Sequence, residues 1–298
     1  MLKSWRFGSA FGIDLYVHWT FWFLPLIVLL TTAQEAGWTE GFLSLSVILT
    51  LFACVLLHEL GHALAARRYG IPTLDITLYP IGGIARLKQI SERPSEELVI
   101  ALAGPAVNVV IAVLLGCGMV LAGVPFSLSQ DTYPLGQMFL NRVLWLNVAL
   151  VVFNMLPAFP MDGGRVLRAI LAMFMKRLTA TKLAFGVGTV VLAGFVLVGV
   201  GLPLWLDQPV SPLLPVVGVL LYLIGRQELR SVERLERQRE NEAKMLARQG
   251  PITQEELDDP FLRPNTPDFT GVTYSPYRKV WIHWQHGVPV RVSVWRED

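Results

Sequence analysis

Val55-Leu56-Leu57-His58-Glu59-Leu60-Gly61-His62 decides how the rest of this chain is read. It has the pattern H-E-x-x-H, and residues 42–57, which lead into it, carry no charge. An apolar run of this length, free of proline, reads as a helix. On a helix, His58 and His62 stack on one face about 6 Å apart along the axis. That spacing lets two imidazoles bind one Zn²⁺, with the adjacent Glu59 placed to take a proton from water held at the ion. The setting is unusual for such a motif: the apolar run puts the expected metal centre in or beside a membrane.

Composition points the same way. Of 298 residues, 53% are hydrophobic and only 16% are charged, against about 25% charged in soluble domains. The net charge of +2 argues neither for nor against nucleic acid. Cys54 and Cys117 both lie in apolar runs, which speaks against a disulfide framework. Apolar runs near 15–33, 42–66, 98–123, 138–156, 184–202 and 211–225 approach or exceed the roughly 20 residues of a spanning helix. The fold class expected is an all-α polytopic membrane protein of about six spans, with a small membrane-associated β-hairpin and a short C-terminal cytoplasmic tail. The first run follows Lys3 and Arg6 as a signal peptide would, but no small-x-small cleavage site comes after it, so it reads as a retained span.

Basic residues alternate between loops. Lys3 and Arg6 precede the first run; Arg67, Arg68, Arg86, Lys88 and Arg93 follow the second; Arg165, Arg168, Lys176, Arg177 and Lys182 follow the fourth; and residues from Arg226 onward are basic-rich. The intervening loops, 124–137 among them, carry no Lys or Arg. The positive-inside rule then puts both termini in the cytoplasm and His58 two to three turns inside the cytoplasmic end of the second span. Domains are expected as a transmembrane unit at 1–226, a charged helical stem at 227–250 and a small cytoplasmic tail at 251–298. In the tail, the alternating runs at 280–284 and 288–295 predict a β-hairpin turning near Gln285-His286-Gly287.

Three further stretches carry chemistry. Thr73 to Tyr79 is rich in β-formers, Pro80 and Gly82-Gly83 supply a turn, and Ile84 to Leu87 can return. The reading is either an ordinary cytoplasmic hairpin or one dipping toward the site, with a free edge able to hold an extended peptide. In Ala101-Leu102-Ala103-Gly104-Pro105-Ala106-Val107-Asn108 the small residues favour close helix approach, and Asn108 either bonds between helices or lines the site. In Asn154-Met155-Leu156-Pro157-Ala158-Phe159-Pro160-Met161-Asp162-Gly163-Gly164, two prolines break the helix at membrane depth. Asp162 follows the break, either as the N-cap of the next helix or as the third metal ligand. Two histidines and one carboxylate leave a fourth position for water. Asp131, the other Asp between the third and fifth runs, lies in the outer loop. His18 suits an interfacial role, His283 and His286 tend to face apart in a strand and turn, and Cys54 suits packing.

Taken together, these motifs resemble the site-2 protease family of intramembrane zinc metalloproteases, the M50 type, over about residues 8–180. His58-Glu59-Leu60-Gly61-His62 matches its first motif. Asn154 to Gly163 matches N-x-x-P-x-x-P-x-D-G, with Met161 where Leu is more usual. Gly104-Pro105 and Asn108 resemble its third-span segment, and Gly82-Gly83 its membrane-associated hairpin. The resemblance implies one Zn²⁺ held by His58, His62 and Asp162, with Glu59 as general base. It implies Asn154 and Asn108 near the substrate backbone or oxyanion. It also implies a membrane-tethered substrate protein cut in or near its transmembrane segment, as in regulated intramembrane proteolysis or clearance of signal-peptide remnants. The expected location is a bacterial cell membrane, multi-pass. The partners expected are the lipid bilayer and that substrate, with a homo-oligomer or regulatory partner left open and no nucleic acid. Loop 124–137 has no room for a PDZ domain, and the tail is too short for a paired CBS module. The competing readings are a non-catalytic zinc-binding scaffold and a metal transporter.

Overall fold

The computed structural model describes residues 4–88, 91, 93–127, 134–206, 213–249, 268–275, 280–286 and 288–294. Asp131, Gly287 and the stretches 207–212 and 251–267, on which parts of the loop and tail readings fall, lie outside them. The chain divides into two compact units, Met1–Leu229 and Arg230–Asp298.

The first unit opens with strands where a span was expected. Strand β1 (Ser4–Ala10) and strand β2 (Ile13–His18) form an antiparallel hairpin, turned at Phe11 and Gly12, both with positive φ. A 3-10 turn (Trp19–Trp22) leads into helix α1 (Phe23–Ala36). At 14 residues, α1 is about 21 Å long, short of the roughly 30 Å hydrocarbon core. Period two explains the strand: Ile13, Leu15 and Val17 alternate with Asp14 and Tyr16, and Ile13 and Leu15 are buried.

Helix α2 (Trp38–Arg68) follows, then strands β3 (Thr73–Tyr79) and β4 (Gly82–Leu87). β2 pairs in parallel with β3, and β3 antiparallel with β4, giving one sheet of order β1-β2-β3-β4. The parallel step needs a long crossover, which α1 and α2 supply. The expected hairpin at 73–87 is thus half of a four-stranded sheet, so the mostly helical chain carries more strand than the one small hairpin expected. Ile13, Leu15 and Ile76 pack on Leu60 and Ala63 of α2, while Leu78 packs with Phe21 and Phe52. Arg67 Nη1 donates to the carbonyl of Phe11 at 2.7 Å. The sheet is therefore laid along the half of α2 that carries the two histidines.

Helix α3 (Pro94–Leu121), helix α4 (Leu135–Asn154), the short helix α5 (Asp162–Ala172) and helix α6 (Arg177–Val196) follow. A π-helical turn (Leu197–Gly201), helix α7 (Leu202–Trp205) and helix α8 (Leu213–Gln249) complete the helices. Among the described residues, four helices are long and apolar enough to cross a membrane: α2, α3, α4 and the run from α6 through α7. The apolar part of α8 ends before Arg226.

A buried ion cluster ties the starts of α3 and α6 to α5 and α8. Arg168 of α5, 1% exposed, donates through Nε and Nη2 to Glu97 at the start of α3 and through Nη1 to Glu228 of α8 at 3.0 Å. Its guanidinium lies 5.1 Å from the Phe159 ring centroid, and Arg177 reaches the second Glu97 oxygen at 3.4 Å. Removing one partner of a buried pair strands the other charge. Arg168→Met should therefore destabilise the protein by about 3 kcal/mol, read as a lower midpoint of thermal unfolding in detergent.

In the second unit, β5 (Gly271–Ser275), β6 (Val280–Gln285) and β7 (Val288–Val294) form an antiparallel sheet of order β5-β6-β7. Val280, Ile282 and Trp284 are buried on one face, the period-two pattern of that run.

Candidate metal centre

His58 and His62 project from one face of α2, with ring centroids 4.7 Å apart and planes near perpendicular. What lets a neighbouring helix reach them is the absence of side chains. A Cβ on Gly104 of α3 would lie 2.3 Å from His62 Nε2 and 2.7 Å from His58 Nε2. On the facing helix, a Cβ on Gly61 would lie 2.8 Å from the Ala103 carbonyl. The two helices therefore cross in contact at the imidazoles, as small residues allow.

The third group arrives through the broken end of α4. After Asn154 the chain leaves the helix through Pro157 and Pro160, held by short-range bonds such as Ala158 N to Leu156 O at 2.7 Å and Met161 N to Ala158 O at 3.0 Å. Helix α5 then begins at Asp162, where a helix N-terminus favours an anion.

These three side chains converge. His58 Nε2 lies 3.0 Å from His62 Nε2 and 3.1 Å from Asp162 Oδ2, and His62 Nε2 lies 3.2 Å from the same oxygen. All three residues are buried. His62 Nδ1 donates to the Ile100 carbonyl at 2.7 Å, and His58 Nδ1 donates to Asn108 Oδ1 at 2.6 Å. With the protons on Nδ1, each Nε2 presents a lone pair. Three acceptor atoms then face one another, an arrangement whose mutual repulsion a bound cation would relieve. A tetrahedral Zn²⁺ with bonds of about 2.0–2.1 Å sets its ligand atoms roughly 3.3 Å apart, close to the observed triangle. The residues present fit the ion, and the protons on Nδ1 are the outer-shell bonds that such ligands carry.

The other expected residues fall at different places. Glu59 is half-buried on the next position of α2 and lies under β4: a Cβ on Gly83 would sit 2.6 Å from Glu59 Cγ. Gly82, with φ of 138°, opens β4, the edge strand of its sheet. Asn154 ends α4 and is half-buried. Asn108 stands behind His58, its oxygen taken by the imidazole and its nitrogen by Asn147 Oδ1 at 2.9 Å. Its contacts are those of an orienting group rather than of one facing substrate. Cys54 receives a contact from Asn147 Nδ2 at 3.4 Å. His18 stacks on Tyr79 with centroids 4.9 Å apart, and exposed His286 pairs with Asp268 at 2.9 Å. Among the described residues, His58, His62 and Asp162 are the group able to hold a metal ion. Sequence reasoning missed Asn147 and Arg168: one read as part of a span, the other as a loop charge.

The family model of peptidase family M50 matches residues 46–133 and 132–198, half of the chain. The chain belongs to peptidase family M50. The matched residues of this M50 chain contain the three converging side chains, Glu59 and the β3–β4 hairpin. A zinc metalloprotease of Methanocaldococcus jannaschii is 36% identical over 236 residues, 78% of this chain and 62% of its own length. A Synechocystis protein named as a candidate zinc metalloprotease is 39% identical over 173 residues, 55% of this chain and 43% of its own. The M50 chain thus spans between about two fifths and three fifths of these relatives. The solved site-2 protease from Methanocaldococcus jannaschii matches with a TM-score of 0.53 and 33% identity, covering 76% of this chain and 95% of that one. The fold and family, with the four apolar helices, make the chain an integral membrane protein.

Proposed function

We propose that this protein is an intramembrane zinc endopeptidase that cuts a membrane-tethered protein in or near its transmembrane segment. The observation that carries the reading is the convergence of His58 Nε2, His62 Nε2 and Asp162 Oδ2 beside Glu59. His58 stands ten residues before the end of α2 at Arg68, about 15 Å along the helix. Zinc, when bound, would polarise a scissile carbonyl and make water more acidic. Glu59 takes the proton of the attacking water and delivers it to the leaving amine. The substrate helix must unwind to expose its amides, and the outer edge of β4 is where an extended segment would pair. Gly83 lays that strand directly on Glu59, which supports reading the edge as the substrate cradle. Asn154, at the open end of α4, is the residue we assign to the substrate backbone or oxyanion.

The apolar part of α8, and α1 taken together with the 3-10 turn that leads into it and lengthens it to about 30 Å, are proposed to complete six spans, with residues 1–226 as the proteolytic unit, 227–250 as a stem, 251–298 as a tail and both termini cytoplasmic. A bacterial cell membrane, and substrates handled by regulated proteolysis or remnant clearance, remain part of this proposal.

The test is cleavage of a synthetic single-span peptide in proteoliposomes, followed by mass spectrometry. Cleavage that needs zinc and stops on chelation supports the reading. Zinc flux across the vesicle that survives loss of Glu59 would replace it with a transporter. The contact with β4 adds a second measurement. Gly83→Ala pushes a Cβ into the Glu59 side chain, whose Cγ can yield, so the fold should persist. Misplacing a reacting group by about 1 Å costs on the order of 100-fold. The expected result is that loss in turnover with a full equivalent of zinc by elemental analysis.

A further inference from the structure

His58 can offer Nε2 to a cation only while Nδ1 keeps the proton, and Nδ1 keeps it only while Asn108 turns its oxygen toward the ring. A carboxamide fits its site either way round. Turned over, Asn108 would present N–H to Nδ1 and drive the imidazole proton onto Nε2, into the metal position. His62 runs no such risk, because its Nδ1 donates to the backbone carbonyl of Ile100, which cannot turn over.

What holds Asn108 lies one residue further from the metal. Asn108 Nδ2 donates to Asn147 Oδ1 at 2.9 Å, and Asn147 Nδ2 donates to the Val143 carbonyl at 2.9 Å and to Cys54 Sγ at 3.4 Å. A backbone carbonyl only accepts. The nitrogen of Asn147 is therefore fixed toward Val143, its oxygen faces Asn108, the nitrogen of Asn108 faces Asn147, and the oxygen of Asn108 falls to His58. Both amides are 0% exposed, so solvent cannot take over either bond.

We infer that Asn147 is a positioning residue: by orienting Asn108 it holds His58 in the Nδ1–H tautomer that leaves Nε2 free as a metal ligand. The metal's identity rests on the protease reading, while the relay concerns only this chain's own protons.

Two substitutions of similar size separate orientation from packing. Asn147→Leu removes both the acceptor and the donor. Asn147→Asp, neutral at this fully buried position, gives its O–H to the Val143 carbonyl in place of the amide N–H and keeps an acceptor toward Asn108. Zinc affinity is measured by competition with a chelator. The His58 tautomer is read by nitrogen NMR of protein labelled at histidine with ¹⁵N, and coordination by the visible spectrum of the Co²⁺ form. The expected result for Asn147→Leu is a 10–100-fold loss of zinc affinity, typical of outer-shell partners, with mixed His58 tautomers and an altered Co²⁺ spectrum. Asn147→Asp stays close to wild type. Asn108→Asp placed in the Asn147→Leu background should restore affinity, because a carboxylate has no wrong way round. Wild-type affinity and a single tautomer in Asn147→Leu would overturn the inference. So would equal losses in Asn147→Leu and Asn147→Asp with no rescue, which would leave Asn147 a packing residue. None of these readouts involves cleavage, so a protein that binds zinc but cuts nothing would defeat the protease reading and leave the relay standing.

Discussion

Glu59→Gln should abolish cleavage while leaving the metal in place. Proton transfer by a positioned carboxylate contributes about 10²–10⁴-fold to turnover, so cleavage of a single-span peptide should fall by roughly three orders of magnitude. The substitution keeps the length and shape of the side chain that packs under Gly83, and Glu59 is not one of the three groups that converge on the metal position. Zinc content should remain at one equivalent, and thermal stability should hardly move. The same variant should retain bound substrate that the wild type releases, and mass spectrometry of the co-purified species would name the natural substrate. Unchanged cleavage would show that the proton moves through another group; no cleavage by the wild type, with zinc bound, would favour a scaffold.

The convergence of His58, His62 and Asp162 was legible because helices and proline breaks have fixed consequences. Residues four apart share a helix face, so His58 and His62 had to meet, and the prolines at 157 and 160 had to end α4 short of Asp162. The hairpin at 73–87 was legible from β-branched residues around a glycine turn. The strand at Ile13–His18 was not, because its alternation runs without a break into the apolar stretch of α1, and a window of spanning length averages the two. Nor does composition tell a 14-residue helix from a complete crossing. The relay through Asn108 and Asn147 was hidden for a different reason. A polar residue in an apolar run shows only that it must find partners, and those partners lie 39 and 93 positions apart in sequence. Arg168 was hidden by the reverse error: counted with the cytoplasmic charges, it is among the largest fully buried side chains of the protein.

Asp162→Asn should give the complementary phenotype, losing the metal first and activity with it. The site sets two neutral imidazoles and one carboxylate in a place only 7% exposed at Asp162, so the carboxylate is the only anion of the ligand set. Removing it leaves a dication among neutral donors in a largely buried place, and burying such a charge is expensive. The amide also competes directly. Its NH₂ can stand where Oδ2 stands, 3.1 and 3.2 Å from the two Nε2 atoms, and donate to the lone pairs that would otherwise face the cation. The site then satisfies itself without metal. The expected loss of zinc affinity exceeds the roughly 10–100-fold that follows loss of an outer-shell partner, measured by chelator competition. A second readout is thermal: chelation should lower the unfolding midpoint of the wild type, because a ligand that binds only the folded state stabilises it, and should leave that of Asp162→Asn where it is. Normal zinc content in the variant would remove Asp162 from the ligand set and leave it as the carboxylate that opens α5.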